Sequence, residues 1–584
     1  MEIDFLPHHL RKYIVEQHYE KYTPVDQAVW RYILRQLKAF LSVHAEESYS
    51  QGLVKTGIEI DRIPRIEDIS KKLEQFGWRA LPVSGFIPPA AFMELQSLSV
   101  LPIASDMRTL DHLLYTPAPD IVHEAAGHAP ILIHPEFAAY LKDYAQVAKK
   151  AIISQEDLNL YEAIRDLSDI KECATSTPEE IKAAEEKLDQ VSKSMSHISE
   201  ATELGRMNWW TAEYGLIGDI KNPKIFGAGL LSSVGESRMC LSDKVKKIPL
   251  TVDCIKTGYD ITEQQPQLFV APDFKTLVKV LHEMADGMAF KIGGLKGLQK
   301  AIEAKSVNTA ELDSGLQISG QIVEAITGDD GKIAYLRFQG PSQLSYKDKE
   351  LPGHDKGYHA HGFGTPVGRL KEYPAKNSFD IAASEWAFIN VEKGHETRLE
   401  FESGVVVTGK VLKRFVEDGK TLLLTLENAK AEYKGRILFD PSWGTFDMAL
   451  GAEVISVFGG PADRIAYGET VDFIAKRVPA PKYSDKELKL HQQYQTLRNL
   501  REQKVSGAKL QSELEKLISI HDKEFPNDWL LRLEAVELLK LTDEMSPNTS
   551  SALYKKLNAD LEALKKLGTE TKGMIEDGLK LLGT

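Results

Sequence analysis

Residues 120–130 read DIVHEAAGHAP, and the spacing of their histidines decides the local fold. His123 and His128 lie five residues apart, with Glu124 directly after the first and Gly127 directly before the second. Zinc peptidases place two histidines four residues apart, which brings them to one face of a regular helix. A spacing of five leaves the side chains roughly 140° out of line at about 100° per residue. We therefore predict a helix that starts late or is distorted, with Gly127 supplying the backbone freedom.

The best candidate for a third ligand is Glu213, in the aromatic segment NWWTAEYGL (208–216), which is typical of a buried helix. A buried carboxylate needs a partner. Two imidazoles and one carboxylate form the ligand set of non-haem Fe(II) oxygenases, which leaves about three metal positions open. Zinc is the second candidate metal, and any one of these histidines alone is explained as well by a hydrogen-bonded core residue. The combination favours a metal centre.

Longer motifs surround these residues. They are YTPAPDIVHEAAGHAP (115–130), NWWTAEYGL (208–216), FGAGLLSSVGES (226–237), CLSDKVKKIPL (240–250) and YDITEQQPQLFVAPDF (259–274). In this order they resemble the pterin-dependent aromatic amino acid hydroxylases, among which the phenylalanine hydroxylases look most similar. Upstream, residues 63–92 are similar to the segment that holds the pterin in that family. The resemblance covers about half of the chain.

The resemblance implies a role for each matching residue. His123, His128 and Glu213 would bind Fe(II), and Ser232 would orient the first histidine, although a helix cap explains Ser232 equally well. The substrate would lie against Arg108, Thr116, Pro119, Trp209, Tyr214 and Gly229. Arg108 would bind the substrate carboxylate with two parallel hydrogen bonds, its alternative being a surface salt bridge.

The same resemblance implies a tetrahydropterin site, for tetrahydrobiopterin or a similar pterin. Its residues would be Gly85, Phe86, Ile87, Phe92 and Glu124. Phe92 would stack on the pterin ring, the backbone of residues 85–87 would bond the polar edge, and Glu124 would reach it through water. Beside zinc, Glu124 would instead be a general base, so the identity of the metal separates these roles.

The implied reaction is hydroxylation of L-phenylalanine to L-tyrosine by a monooxygenase that uses Fe(II), reduced pterin and dioxygen. Tryptophan, tyrosine or a modified phenylalanine remain alternative substrates. Ile261 is apolar where tyrosine-specific members carry a polar residue, which favours phenylalanine. A protein of another class, a scaffold with a degenerate iron site, is disfavoured because the three ligands and Arg108 are all present.

Composition agrees with an enzyme of the cytoplasm. A chain of 584 residues predicts two to four domains. Its net charge of -13 argues against nucleic acid or an anionic membrane as a partner. Three cysteines are too few for a disulfide framework, and no apolar run of about 18 residues predicts a membrane span. Because the resemblance begins near residue 17, we expect no regulatory amino-acid-binding domain before it.

We predict a multidomain fold with three regions. Residues 1–295 form a mainly α catalytic domain of the hydroxylase type, with a Glu- and Lys-rich helical insertion at about 146–206. Within the insertion, Thr177, Pro178 and Glu180 form a helix-capping signature. Residues 296–475 are rich in β-strand patterns, and residues 476–584 are helical. The insertion or the C-terminal helices are the candidate surfaces for a homo-oligomer.

The β-rich region contains an internal repeat. Residues 313–340 and 402–429 are visibly alike, and the shorter segments 362–370 and 457–465 follow them in the same order. Each long segment carries a hairpin-turn signal, Asp330-Gly331 and Asp418-Gly419. We predict a duplicated β unit that packs as a sandwich or barrel.

One segment of the first copy, GHDKGYHAHGFG (353–364), holds three histidines that the second copy lacks. They are His354, His359 and His361. Three histidines this close fit a metal site. They fit an exposed glycine-rich turn as well, and both interpretations stay open here.

Overall fold

Helices dominate the first half of the chain. The computed structural model describes residues 3–85, 87–113, 119–172, 176–260, 263–468, 483–541 and 551–583. The α-helices of the first half are α1 (Pro24–His44), α2 (Tyr49–Thr56), α3 (Ile66–Leu73), α4 (Pro89–Ser97), α5 (Ala129–Ile131), α6 (Pro135–Ala148), α7 (Gln155–Glu172), α8 (Pro178–Lys193), α9 (Glu200–Asn208), α10 (Ala228–Leu231), α11 (Val234–Met239), α12 (Phe274–Ala285), α13 (Ala289–Ile292) and α14 (Gly294–Ala304). Two π-helices, Val122–His128 and Trp209–Glu213, lie among them.

Two small sheets hold the loops that lead to these π-helices. Strands β1 (Arg79–Val83) and β2 (Val100–Ala104) pair in parallel, and β2 runs towards the first π-helix. The second sheet has the order β4-β3-β6-β5. Its strands are β3 (Leu216–Ile217), β4 (Lys224–Ile225), β5 (Lys246–Pro249) and β6 (Gln267–Ala271). Because β3 begins just after the second π-helix, this sheet fixes where that π-helix ends.

The Glu- and Lys-rich segment forms the helical hairpin α7–α8. The predicted capping signature is confirmed: Thr177 accepts a hydrogen bond from the backbone of Glu180, and the Glu180 side chain bonds back to the Thr177 backbone. Ion pairs between α7 and α8 join Lys171 to Glu185 at 2.9 Å and Lys187 to Asp166 at 3.0 Å. Exposed pairs of this kind stabilise a protein by less than about 1 kcal/mol.

Antiparallel strands fill the region after α14. They are β7 (Val307–Leu312), β8 (Leu316–Thr327), β9 (Ile333–Tyr346), β10 (Lys349–Glu350), β11 (Gly362–Pro366), β12 (Glu396–Glu400), β13 (Val406–Glu417), β14 (Lys420–Tyr433), β15 (Arg436–Phe439), β16 (Phe446–Ala449) and β17 (Val454–Gly459), with α15 (Ala383–Phe388) and α16 (Arg464–Tyr467) between and after them. One sheet has the order β10-β9-β8-β7-β17 with β11 added on β9, and the other has the order β12-β13-β14-β15 with β16 added on β14.

Both predicted hairpins are confirmed, since β8 pairs with β9 and β13 with β14. In the two-residue connection of the second hairpin, Asp418 and Gly419 both have positive φ, 48° and 78°, as a type I′ turn requires. The prediction that residues 362–370 and 457–465 are structurally equivalent is wrong. By pairing, the counterpart of β11 is β16, whereas β17 pairs with β7.

The last helices pack against the first long one. They are α17 (Asp485–Glu502), α18 (Gly507–Glu524), α19 (Leu530–Leu541), α20 (Ala552–Leu564) and α21 (Thr569–Leu581). The ring of Tyr32 on α1 lies edge-on to Trp529 at 5.3 Å, and its hydroxyl donates to the carbonyl of Met574 at 2.7 Å. One continuous apolar core therefore includes α1 and these C-terminal helices. Among the described residues, none of the helices combines the length and the apolar character that crossing a membrane requires.

Candidate metal centre

The π-helix Val122–His128 accommodates the five-residue spacing of the two histidines. In a π-helix each hydrogen bond spans five residues, so the turn widens and residues five apart return to one side. The Nε2 atoms of His123 and His128 lie 3.2 Å apart. The predicted distortion is confirmed, but the role of Gly127 is different: a Cβ there would lie 2.6 Å from the carbonyl oxygen of Ala228. Glycine is needed because α10 packs directly on the π-helix.

The second π-helix ends at Glu213 and brings its carboxylate to the same point. One carboxylate oxygen lies 3.3 Å from Nε2 of His123, and the other lies 3.3 Å from Nε2 of His128. Ligands at about 2.1 Å from one ion are separated by about 3.0–3.4 Å in octahedral or tetrahedral geometry. The three donor atoms are therefore spaced as a single bound ion requires.

The charge state of the carboxylate suits metal binding. Burial opposes ionisation of Glu213, but the nearby imidazoles of His128 and His123 more than offset it and hold the pKa of Glu213 well below its usual range. A carboxylate must be deprotonated to bind a metal. Glu213 meets that condition throughout the physiological pH range.

Ser232 sets the orientation of the first histidine. Its hydroxyl donates to the carbonyl of Ala228 at 2.7 Å, and Nδ1 of His123 lies 3.1 Å from the same oxygen. With its proton committed to Ala228, the hydroxyl accepts from Nδ1–H of His123. The lone pair of His123 then sits on Nε2, which faces the other two ligands. The helix cap of α11 is the neighbouring Ser233, whose side chain accepts from Glu236 N, and not Ser232.

Close packing holds α10 between the two π-helices. A Cβ at Gly227 would lie 2.5 Å from the carbonyl oxygen of Glu213. A Cβ at Gly229 would lie 2.7 Å from the ring of Tyr214. Gly229, predicted to touch the substrate, is thus placed against an aromatic residue of the predicted substrate wall. Larger residues at these positions would push the ligand-bearing segments apart.

An aromatic stack lies beside the ligands. The ring of Trp209 stacks on Tyr214 at 4.4 Å and on Tyr259 at 4.2 Å. Trp209 and Tyr214 belong to the predicted substrate wall, and Pro119 is half-buried. Tyr259 was not predicted, although it stands in a quoted motif at the start of YDITE. Thr116 and Ile261 lie outside the described residues.

Arg108 is engaged by a partner that the sequence analysis missed. Its Nε and Nη2 atoms each donate to Asp120 at 2.7 Å, and both side chains are buried, so the surface salt bridge is wrong. Burial opposes the charge on Asp120, but Arg108 lowers its pKa below the usual range. Asp120 also accepts from the backbone of His123 at 3.1 Å. Its position three residues before that histidine is a typical capping signal.

The residues predicted to hold a pterin have mixed surroundings. The amide of Gly85 donates to Asp106 at 3.3 Å. Ile87 is buried in a small apolar cluster, and Phe92 is half-buried against the same cluster. Phe86 lies outside the described residues.

Glu124 is buried beside His123 and His128. Within the described part of the chain, its Oε2 atom is buried and has no hydrogen-bond partner. Burial, helped by the charges of Glu213 and Asp120, raises the pKa of Glu124 to about 8. A neutral carboxylic acid is a poor general base at neutral pH. The residue is therefore better suited to donate a hydrogen bond than to take a proton from water.

Comparisons with known proteins point to one family. The sequence profile described as "Biopterin-dependent aromatic amino acid hydroxylase" matches residues 13–156 and 185–293. Phenylalanine-4-hydroxylase from Mesorhizobium japonicum is 31% identical over 269 residues, which is 45% of this chain and 81% of the relative. The Pseudomonas aeruginosa phenylalanine-4-hydroxylase is 29% identical over 265 residues, 45% of this chain and 84% of the relative.

Solved structures of phenylalanine hydroxylase are similar to about half of the chain. The Chromobacterium violaceum phenylalanine hydroxylase crystal structure, described as holding iron (III) and 7,8-dihydrobiopterin, is 26% identical in sequence. The similarity covers 48% of this chain and 88% of that one, with a TM-score of 0.38.

Proposed function

The chain belongs to the biopterin-dependent aromatic amino acid hydroxylases, and on that basis we propose that it converts L-phenylalanine to L-tyrosine. The curated relatives that support this substrate are named phenylalanine-4-hydroxylases. The three converging ligand atoms, 3.2 to 3.3 Å apart, carry the proposal. Such a geometry argues against a degenerate site in a scaffold protein.

We propose that His123, His128 and Glu213 hold Fe(II). Fe(II) suits two imidazoles and one carboxylate, which leave other positions open. When bound, iron and the reduced pterin supply the oxygen-activating redox chemistry. The protein contributes the preset positions of the three ligands, since two π-helices and α10 hold them before the metal arrives. The hydrogen bond from Nδ1 of His123 to Ser232 selects the tautomer in which the Nε2 lone pair can bind the iron.

The substrate would lie between Arg108 and the aromatic stack. Asp120 takes Nε–H and one N–H of Nη2 of Arg108, which leaves the second N–H of Nη2 and the two of Nη1 for the substrate carboxylate. The stacked rings of Trp209 and Tyr214 offer an apolar surface to the substrate ring. Because Asp120 also bonds the backbone of His123, the same carboxylate fixes the substrate end and the metal end of the site.

The pterin would lie over Phe92 with Glu124 on its polar side. The half-buried Phe92 ring can stack on a pterin, and the unpartnered Oε2 of Glu124 supplies a polar group to reach it through water. The backbone of Gly85, Phe86 and Ile87 would bond the polar edge of the pterin, and the amide of Gly85 would then exchange its hydrogen bond to Asp106 for one to the pterin. These assignments rest on the family resemblance together with the buried polar atom of Glu124.

We also propose that the chain divides into the catalytic region 1–295, a duplicated β region 296–475 and a helical region 476–584. Support for the duplication comes from matching lengths: β8 and β13 each have 12 residues, and β9 and β14 each have 14. In both units a further strand is added on the second long strand. The insertion α7–α8 and the C-terminal helices remain our candidate surfaces for self-association.

The substrate assignment is tested by supplying L-phenylalanine, L-tryptophan and L-tyrosine separately to the iron-loaded protein with tetrahydrobiopterin and air. We expect kcat/KM for phenylalanine to exceed the other two by at least about tenfold, with tyrosine as product. Zinc-loaded protein is the matched control and should give no product. Faster hydroxylation of tryptophan or tyrosine would overturn the assignment to phenylalanine while keeping the enzyme class.

A further inference from the structure

A second group of metal-ligand residues lies in the β region, far along the chain from the first. His354 and His359 come from the segment between β10 and β11, and Asp447 comes from β16. One ligand atom of each lies within 4.8 Å of the other two. All three residues are buried, at 6%, 8% and 5% exposure. The sequence alternative of an exposed turn is therefore wrong for these two histidines.

The geometry of the imidazoles fits a shared ion. Nδ1 of His354 lies 3.2 Å from Nε2 of His359. This is the separation expected for two nitrogens at about 2.1 Å from one metal. His361, which the sequence grouped with them, is exposed and stands outside the cluster.

The carboxylate has the supporting contact that ligating carboxylates commonly have. Thr425 on β14 donates its hydroxyl to Oδ1 of Asp447 at 2.7 Å. Aromatic rings enclose the histidines: Tyr358 lies 4.7 Å from His359 and Phe363 lies 5.2 Å from it. A buried carboxylate needs a compensating charge or hydrogen bonds, and a divalent cation shared with the two imidazoles would supply that charge.

We propose that His354, His359 and Asp447 form a second metal site, for a divalent transition-metal ion such as Zn(II). Imidazole and carboxylate ligands suit zinc and other borderline ions of the first transition row. The histidines belong to the first β unit and the aspartate to the second. A metal bound here therefore cross-links the two units and stabilises the β region. This site is separate from the one that serves hydroxylation.

The test titrates the full-length protein, stripped with a chelator, with Co(II) as a spectroscopic probe. Wild-type protein should bind two equivalents. Asp447→Asn and His359→Gln should each bind one, and His361→Ala, the matched control from the same segment, should bind two. His128→Gln disrupts the first site and should still bind one equivalent of Co(II). Binding of that equivalent should raise the midpoint temperature of thermal unfolding of the His128→Gln variant.

A wild-type protein that saturates at one equivalent, or an Asp447→Asn variant that still binds two, would overturn the proposal. The cluster would then be a hydrogen-bonded pair of histidines beside a carboxylate. Should the Asp447 and His359 variants fail to fold, as judged by circular dichroism, the His128→Gln protein decides alone: one retained equivalent supports the second site, and none rejects it. Neither result depends on hydroxylation activity.

Discussion

Ser232 decides which nitrogen of His123 faces His128 and Glu213, and this makes it a direct test position outside the proposed ligand set. Replacing it by alanine removes the acceptor for Nδ1–H and frees the ring to adopt the wrong tautomer. We expect Ser232→Ala to weaken Fe(II) binding by about 10- to 100-fold. Equilibrium titration of the stripped protein under anaerobic conditions measures this.

Ser233→Ala is the matched control because Ser233 caps α11 and has no contact with His123 in the described structure. Losing an N-cap costs about 1 kcal/mol of unfolding free energy. Fe(II) affinity should stay within about twofold of the wild type. Equal losses of iron affinity in the two variants would show that Ser232 acts only through the packing of α10.

Glu236 gives a pH-dependent prediction at the same scale. Burial raises the pKa of Glu236 to about 7, above its value of 4.5 in an unfolded chain. The folded state therefore favours the neutral acid, and its stability falls as the pH rises from about 4.5 to 7. Glu236→Gln removes that dependence: it should match the wild type near pH 4.5 and be more stable at pH 8, by up to about 3 kcal/mol. Urea unfolding at both pH values measures the difference, and a variant less stable at pH 8 would contradict the assignment.

At the residue scale, the sequence predicted some residues of the candidate site and missed the contacts of others. His123, His128 and Glu213 could be named as candidate ligands because the five-residue histidine spacing restricts the chemistry and the family resemblance implies the same three residues. Asp120 was missed because the partner of a buried arginine is set by tertiary packing, which leaves little trace in sequence. Gly127 was given the wrong reason, since a close approach of another helix cannot be read from one segment.

At the level of elements, the two π-helices and α10 form one packed unit, and Gly127 is one of its close contacts. A methyl group there would meet the carbonyl oxygen of Ala228 at 2.6 Å, and backbone cannot move aside easily. Gly127→Ala should lower the unfolding free energy by about 1–3 kcal/mol and reduce iron content as purified. Urea unfolding and metal analysis check both effects.

Gly205→Ala is the control for helix propensity. A Cβ at Gly205 in α9 meets nothing within 4 Å among the described residues, so alanine should stabilise the protein by up to about 1 kcal/mol. Opposite signs for the two substitutions are expected. If both variants gain stability, α10 does not pack on the π-helix as described.

Elements were predicted well where the signal was local. The capping box of α8 and the hairpin turns carry their own side-chain or backbone chemistry, and both are confirmed. The π-helical form could not be predicted, because the sequence showed only that a regular α-helix would not bring His123 and His128 to one face. The equivalence of 362–370 with 457–465 was wrong because strand pairing across two units depends on the whole sheet.

At the scale of the whole molecule, the C-terminal helices share an apolar core with α1 in the first half of the chain. A network of buried charged side chains also joins them to α1. Arg31 on α1 contacts Glu534 at 3.1 Å and also pairs with Glu537, and all three are buried. Removing Arg31 leaves Arg501 as the partner of Glu534 and Arg35 as the partner of Glu537, so the two buried carboxylates are less well compensated. Arg31→Ala should lower the unfolding free energy by up to about 3 kcal/mol, measured by urea unfolding at pH 7.

Arg62→Ala is its control, since Arg62 pairs with Glu59 on the surface at 3.0 Å. That change should cost less than about 1 kcal/mol. Similar small losses for both variants would show that the C-terminal helices do not rely on the Arg31 network. The sequence predicted that residues 476–584 are helical, but which helix of the first half they cover follows only from the fold.

The central claim is that His123, His128 and Glu213 hold one catalytic Fe(II), and tyrosine formation tests it most directly. Protein loaded anaerobically with one equivalent of Fe(II) is mixed with tetrahydrobiopterin, L-phenylalanine and oxygen, and tyrosine is quantified. The account predicts tyrosine from the wild type and a loss of at least about a thousandfold in Glu213→Ala with unchanged circular dichroism. Equal tyrosine formation by Glu213→Ala, or by wild-type protein loaded with zinc alone, would contradict it.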